Sequence, residues 1–450
     1  MAEKEVVVLS CSGQVGSGFS EDSFNRALEM HPDVIGCDCG SCDSGPYCLG
    51  AGVANKSKTA VKRDLRLMIV GGVKNNIPVL VGSAGTSGGN PHLDWVVGIV
   101  KEIAEEENLH FKLAVINAEL SKEQLKGYMR QGKVKPLYPA PELSEEKVDG
   151  MTRIVGMMGA EPFIKALEGG AQVVIAGRAS DVSIFAAVPI MKGFKDHGPT
   201  WHASKLLECG AACVVKRTHP DCMVAWIREN SFSVEPPNPN YYCTPVSVVS
   251  HALYETSSPF ELVEPSGTML IKDCTYTAES DRRVLVEGSK FKKATQYTIR
   301  LEGARFSGYR RVIIGAIRDP LVLGQLEEWT KSAHEETAKK IFESAKLTEN
   351  KEYRMRLHVI GGAENALPSE VCMMIEVIGD TPEHAKAASG VAWHTVLHYP
   401  VKQYSGLQSN LAFPFSPPDI PAGEAYEFCL NHVVEVDDPL ELFPISYQEL

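Results

Sequence analysis

The chain has 450 residues, 44% hydrophobic and 23% charged, an ordinary globular composition sufficient for more than one core. A formal net charge of −12, with no Lys/Arg run longer than two, argues against a nucleic-acid partner. No run of 18 apolar residues occurs and MAEKEVVVLS enters a strand-like run directly, so no membrane span and no signal peptide are expected; with twelve scattered cysteines this predicts reduced thiols and a cytoplasmic protein.

The first half alternates. Val6–Leu9 reads as a strand, Cys11–Gly18 as a glycine-rich turn and Glu21–Met30 as a helix capped by Ser20. A second strand, Val34–Cys37, runs into a long loop from Asp38 to Val53. Helical spacing over Thr59–Gly71 precedes a third strand, Val79–Val81, and a polar glycine-rich turn from Gly82 to Gly89. A helix over Leu93–Glu107, a strand over Phe111–Ile116 and helices over Glu119–Gln131 and Glu161–Glu168 lead to a strand at Val173–Ile175 and a helix-like run ending at Pro189. Strands separated by helices of this length imply right-handed crossovers and a parallel sheet covered on both faces.

The pattern changes near residue 220. Ser233–Tyr242 reads as extended loop because of its prolines, and short β-rich runs follow at Thr268–Ile271, Arg283–Val286, Gln296–Leu301 and Val312–Ala316. A helix at about 321–345, strands Arg356–Ile360 and Val371–Val377 and a helix over Glu383–Tyr399 complete an α+β pattern. The proline-rich tail after Val401 reads as irregular. The expected fold is therefore α/β, a parallel-sheet N-terminal domain over 1–222 that binds the ligand, followed by a C-terminal α+β domain over 223–450.

The carboxyl edge of such a sheet is where ligands bind. Arg178, directly after the Val173 strand, offers a forked donor for a carboxylate or phosphate, and Asp181 an acceptor or base beside it; the same pair could instead staple the turn. Gly13–Gly18 follows the first strand with the spacing G-x-x-G-x-G, which is not the dinucleotide fingerprint but places Gly16 and Ser17 to meet an anion. Ser83, Gly85 and Thr86 are small and polar enough to approach a carboxylate closely. Asp38 and Asp43 are candidates for a base, or for ligands of a divalent ion such as Mg²⁺ if one is bound. Cys37, Cys39, Cys42 and Cys48 crowd the same loop, but their C-x-C-x₂-C-x₅-C spacing is not that of paired zinc knuckles. Glu208 could serve as a general acid or base, or be a solvated or paired helix glutamate, Cys209 has no visible His partner, and His394 with His398 reads as a structural pair.

The segments GAEPFIKALEGGAQVVIAGRASD (159–181), KLLECGA (205–211) and LYE (253–255), with Gly85–Pro91, resemble the acyclic terpene utilisation AtuA-like family over most of the chain. The strongest match is Gly177–Arg178 with Asp181. Two stretches depart from the family pattern, Asn240–Ser247, where a glycine-rich segment is usual, and Asn117–Glu119. The resemblance implies a catabolic role connected with acyl-CoA or small carboxylic acids and, for some members, a small partner subunit.

Together these features predict a lyase or hydratase that acts on a small carboxylic acid or its CoA thioester. Arg178 would clamp the anion, one of Asp38, Asp43 or Asp181 would abstract a proton, and glycine-loop amides would stabilise an enolate-like oxygen. The alternative is a non-catalytic large subunit that binds acyl-CoA or serves a carboxylase. Either would be a cytoplasmic homo-oligomer without membrane or nucleic-acid contacts.

Overall fold

The computed structural model describes residues 4–41, 44–254, 258–362, 367–403 and 406–450. Its first half follows the alternation of the sequence: β1 (Val6–Ser10), α1 (Glu21–Leu28), β2 (Val34–Asp38), α2 (Tyr47–Ala51), α3 (Lys58–Asn75), β3 (Val79–Gly82), α4 (Asn90–Glu106), β4 (Lys112–Ile116), α5 (Lys122–Arg130), β5 (Val134–Pro136), α6 (Glu145–Asp149), β6 (Arg153–Gly156), α7 (Glu161–Glu168), β7 (Val173–Ala176), α8 (Asp181–Met191) and α9 (Gly198–Leu207). Strands β1, β2, β3, β7 and β4 lie in that spatial order and all run parallel. Their side chains are buried on both faces, which is why each reads as a short apolar run rather than an alternating one. The Ser20 hydroxyl caps α1 by accepting the Ser23 amide, as expected.

Helix α8 is buried along almost its whole length. It packs against β1, β2 and β3. Gly82 has to lack a side chain for this, since a Cβ there would stand 2.4 Å from the Ile184 Cδ1. A helix apolar on every side is one enclosed by its neighbours. It fixes where Asp181, its first residue, emerges at the sheet's carboxyl edge.

The chain continues through β8 (Val214–Val215), β9 (Met223–Ile227), β10 (Ser231–Glu235), β11 (Tyr242–Cys243), α10 (Pro245–Ala252), β12 (Glu261–Glu264), β13 (Gly267–Leu270), β14 (Thr275–Ala278), β15 (Val284–Glu287), β16 (Lys290–Lys293), β17 (Tyr297–Ile317), α11 (Pro320–Leu323), α12 (Leu326–Ala345), β18 (Tyr353–Ile360), β19 (Val371–Gly379), α13 (Pro382–Leu397), β20 (Asp419–Val436) and β21 (Ile445–Glu449). β9 adds antiparallel to β1 and is followed outward by β10, β15 and β14, while β21 adds antiparallel to β4 at the other edge, giving ten strands. The fold class is thus the expected mixed α/β one, with antiparallel sheets in the C-terminal half.

Two compact units result. One comprises residues up to 305 together with 428–450, the other Phe306–Glu427. The first holds the large sheet, and in it β6 pairs with Leu301–Ala304 of β17 and β5 with His432–Val434 of β20. In the second, β18, β19 and Tyr309–Ile317 of β17 form antiparallel pairs, and α12 and α13 pack on one another beside an apolar core that includes Ile313, Trp329, Met373 and Ile375. The expected division between 222 and 223 falls immediately before β9, a strand of the large sheet. The tail read as irregular contains β20 and β21. Pro414, Pro417, Pro418 and Pro421 lie ahead of its buried stretch, in which Ala425, Leu430, His432, Val434 and Val436 belong to one strand.

The loop after β3 and the loop after β7 touch through their backbones. Gly88 has φ +64°, and a Cβ there would lie 2.0 Å from the Arg178 amide nitrogen. Gly88→Ala should therefore displace the Arg178 loop and destabilise the fold by about 1–3 kcal/mol in urea denaturation; an unchanged midpoint would show that the two loops yield without cost.

Candidate functional site

The carboxyl edge of the parallel sheet gathers charge. β2 ends at Asp38, which is 2% exposed. Its Oδ2 accepts the Gly40 amide at 3.0 Å, and its Oδ1 has no hydrogen-bond partner among the described residues. Burial, then the neighbouring charge of Asp181, push the Asp38 carboxyl well above the usual carboxylate range, against the pull of Arg178. Asp38 and Asp181, 143 residues apart in the chain, are therefore neighbours, as expected.

Arg178 is buried and all three of its nitrogens are occupied. Nε and Nη2 donate to the two carboxylate oxygens of Glu302 at 3.0 and 3.2 Å. Nη1 donates to the Ser83 hydroxyl at 3.0 Å, the Ala179 carbonyl at 2.8 Å and Asp181 Oδ1 at 3.3 Å. The fork expected to meet a ligand anion meets the carboxylate of Glu302, on β17. Ser83, expected at the ligand, is one of the groups Arg178 holds.

Three further charged residues complete the cluster, and one of them, Glu264, carries no signal in the sequence. Glu264, at the end of β12, accepts the Ser180 hydroxyl at 2.7 Å and is 6% exposed. Lys205 Nζ donates to the carboxyl of Glu208, one turn on at the end of α9, and both side chains are buried. Burial pushes Glu264 up to about 7, and the charge of Asp181 adds to the shift. Burial pushes Glu208 up to about 8 despite Lys205, again with a contribution from Asp181. Asp181 thus acts electrostatically on Asp38, Glu208 and Glu264 at once. Its side chain is 36% exposed, against 10% or less for Arg178, Glu302, Lys205 and Glu208. It is the member a small molecule meets first. A Lys and a Glu at i, i+3 were visible in KLLE; their burial was not.

Other expected ligand positions are met by the chain itself. The Gly16 and Gly18 amides donate to the buried carboxylate of Asp64 at 2.8 and 3.0 Å, so the anion cradled by the glycine turn is internal. Thr86 exchanges hydrogen bonds with Asn55. Gly85, at φ +59°, presses against His92. Ser17 lines a cavity at the end of β1. Asp43, and Cys42 beside it, lie outside the described residues.

Cys37 donates to the Ser12 carbonyl, and burial pushes Cys37 and Cys48 up and Cys39 up to about 12, which favours thiol over thiolate. None of the described cysteines forms a disulfide. Among the described residues no group of three or more His, Cys, Asp or Glu side chains is arranged to hold a metal ion. His394 and His398 lie on or just after α13 with their rings 5.2 Å apart. No helix is long and apolar enough to cross a membrane among the described residues.

Two outcomes test this electrostatic picture. Arg178→Met leaves Glu302 buried without its partner and should cost about 3–5 kcal/mol in urea denaturation. Arg178→Met combined with Glu302→Met should recover much of that loss; an equal loss in both would mean that the pair is not what Arg178 contributes. The pH dependence has a defined sign. Glu208 and Glu264 bind their protons more tightly folded than at their ordinary value of 4.5. Their contribution to stability is full below about pH 4.5 and lost as pH rises through 7 to 8. Glu264→Gln should flatten the fall in Tm between about pH 4.5 and 7, and an unchanged slope would remove Glu264 from the account.

The model of the family described as acyclic terpene utilisation family protein AtuA matches residues 10–215 and 231–421. No curated protein and no solved structure matches the chain.

Proposed function

Because the chain belongs to the acyclic terpene utilisation family, we propose that it is a catabolic enzyme that removes or adds water on a small carboxylic acid, or its CoA thioester, derived from such compounds. The observation that carries this reading is the pair Glu208 and Glu264, both raised to near neutrality within reach of the charge of Asp181. Elimination next to a carbonyl needs a base for the α-proton and an acid for the departing hydroxyl, and both work best with pKa values near the working pH.

Asp181 is the base in this reading. It is the more exposed carboxylate, and Arg178 Nη1 at 3.3 Å fixes its orientation. Glu208 is the acid, since at neutral pH burial keeps its proton in place. The Lys205 ammonium beside Glu208 supplies positive charge in a poorly solvated site, where it opposes build-up of negative charge on a carbonyl oxygen most effectively. Arg178 is a positioning residue, since its donors serve Glu302, Ser83 and Asp181. Burial and the charge of Asp181 push the Asp38 carboxyl well above the usual carboxylate range.

The intact chain would be mixed with a panel of 3-hydroxy acids, their unsaturated counterparts and the corresponding CoA thioesters, and hydration followed by absorbance and mass. Asp181→Asn and Glu208→Gln should each lower turnover by about 10²–10⁴ with little change in Tm. Wild-type turnover should fall as pH rises through about 8, where Glu208 gives up its proton, and Glu208→Gln should lose that limb. Full turnover in both variants would overturn the assignment.

A further inference from the structure

A cavity of about 450 Å³ opens at the end of β1, lined in part by Gly13, Ser17, Cys209, Arg217, His251 and Tyr254. That volume suits a small metabolite. Two of these groups are unspent. His251, at the end of α10, is 7% exposed, and its Nε2 is buried with no hydrogen-bond partner among the described residues. A buried imidazole nitrogen left without a partner costs free energy that a ligand atom can recover. Arg217 is exposed and makes no ion pair among the described residues.

The surroundings set the sign of charge that fits. Burial, Lys205 and Arg217 hold His251 down to about 4, so the ring is neutral at physiological pH and presents one N–H and one lone pair. The Lys205 ammonium stands 5.9 Å from the Tyr254 ring centroid, and the Tyr254 ring stacks on His251 at 5.8 Å. The wall of the cavity is therefore backed by the Lys205–Glu208 pair, through Tyr254 on one side and Cys209, the next residue in the chain, on the other. Two cations and a neutral imidazole favour an anion, and Ser17 with the exposed backbone at Gly13 can add hydrogen bonds. Tyr254, Ala212 and Pro220 give the remaining wall an apolar surface.

We propose that this cavity binds the free carboxylate of a small organic acid, with Arg217 pairing the carboxylate and the His251 Nε2 hydrogen-bonded to it. The proposal rests on the reading of the adjoining carboxyl cluster as a catalytic site and names the class of substrate that reaches it. Arginine suits a carboxylate because its planar fork offers two parallel donors.

Binding is measured by calorimetry on the intact chain, with 3-methylbut-2-enoate as the probe. Its amide, inorganic phosphate and CoA are the comparisons. The carboxylate should bind and the amide should bind at least tenfold more weakly. Arg217→Gln should weaken the carboxylate by about 10- to 100-fold. Arg217 is on the surface, so this variant should keep the wild-type Tm. His251→Phe should weaken binding as well, and Glu208→Gln should leave it within a few fold. Equal binding of acid and amide, or no effect of Arg217→Gln, would overturn the proposal. Arg217-dependent binding of phosphate or CoA without binding of the carboxylate would overturn it too, by assigning the cavity to a phosphate. The two readings fail separately: binding without turnover on any acid leaves the subsite standing and removes the hydratase, whereas turnover unaffected by Arg217→Gln and His251→Phe does the reverse.

Discussion

Arg178 is the group on which the carboxyl edge depends. Its side chain meets Glu302 from β17, Ser83 from the loop after β3 and Asp181 at the start of α8. Two buried or half-buried carboxylates and a hydroxyl from separate elements are thereby held by one cation. Without it, Glu302 is an unpaired charge at about one-tenth exposure. The close backbone contact of Gly88 with Arg178 belongs to the same device, since it fixes the root of the side chain.

The cluster has more acids than bases: Asp38, Asp181, Glu208, Glu264 and Glu302 against Arg178 and Lys205. Full ionisation of all five would leave an uncompensated negative charge in a poorly solvated place. The way out is that some carboxyls keep their protons, and burial selects which. Asp38, Glu208 and Glu264 are the deep ones and are raised; Asp181 is the one that reaches solvent. A division of this kind separates proton donors from acceptors among chemically identical groups, which is what acid–base chemistry on a carboxylic acid requires.

The glycine-rich turns have a different part from the one their composition invites. Gly16 and Gly18 direct their amides at Asp64, and Thr86 is tied to Asn55. Such turns bring the ends of β1 and β3 into fixed positions by satisfying internal anions and carbonyls. Open polar capacity is found instead beside them, in the cavity where the His251 Nε2 has no hydrogen-bond partner among the described residues.

The sequence by itself determined the parallel core. Val6–Leu9, Val34–Cys37, Val79–Val81 and Val173–Ile175 are continuous apolar runs because a strand buried on both faces admits nothing else, and residues immediately after such runs must lie at the carboxyl edge. That rule was enough to place Asp38, Ser83, Arg178 and Asp181 together. It could not reach Glu302 or Glu264, which come from strands 124 and 84 residues beyond their partners Arg178 and Ser180. Those strands owe their position to antiparallel pairings that alternation alone does not specify. Nor could it give the state of Glu208: the i, i+3 spacing with Lys205 looks the same on a wet helix as on a buried one, and only the enclosure of α9 by its neighbours turns a solvated ion pair into a carboxyl that holds its proton. Local pattern decides which residues face the core, whereas desolvation and the company a charge keeps are properties of the whole packed fold, and these were decided by the tertiary structure.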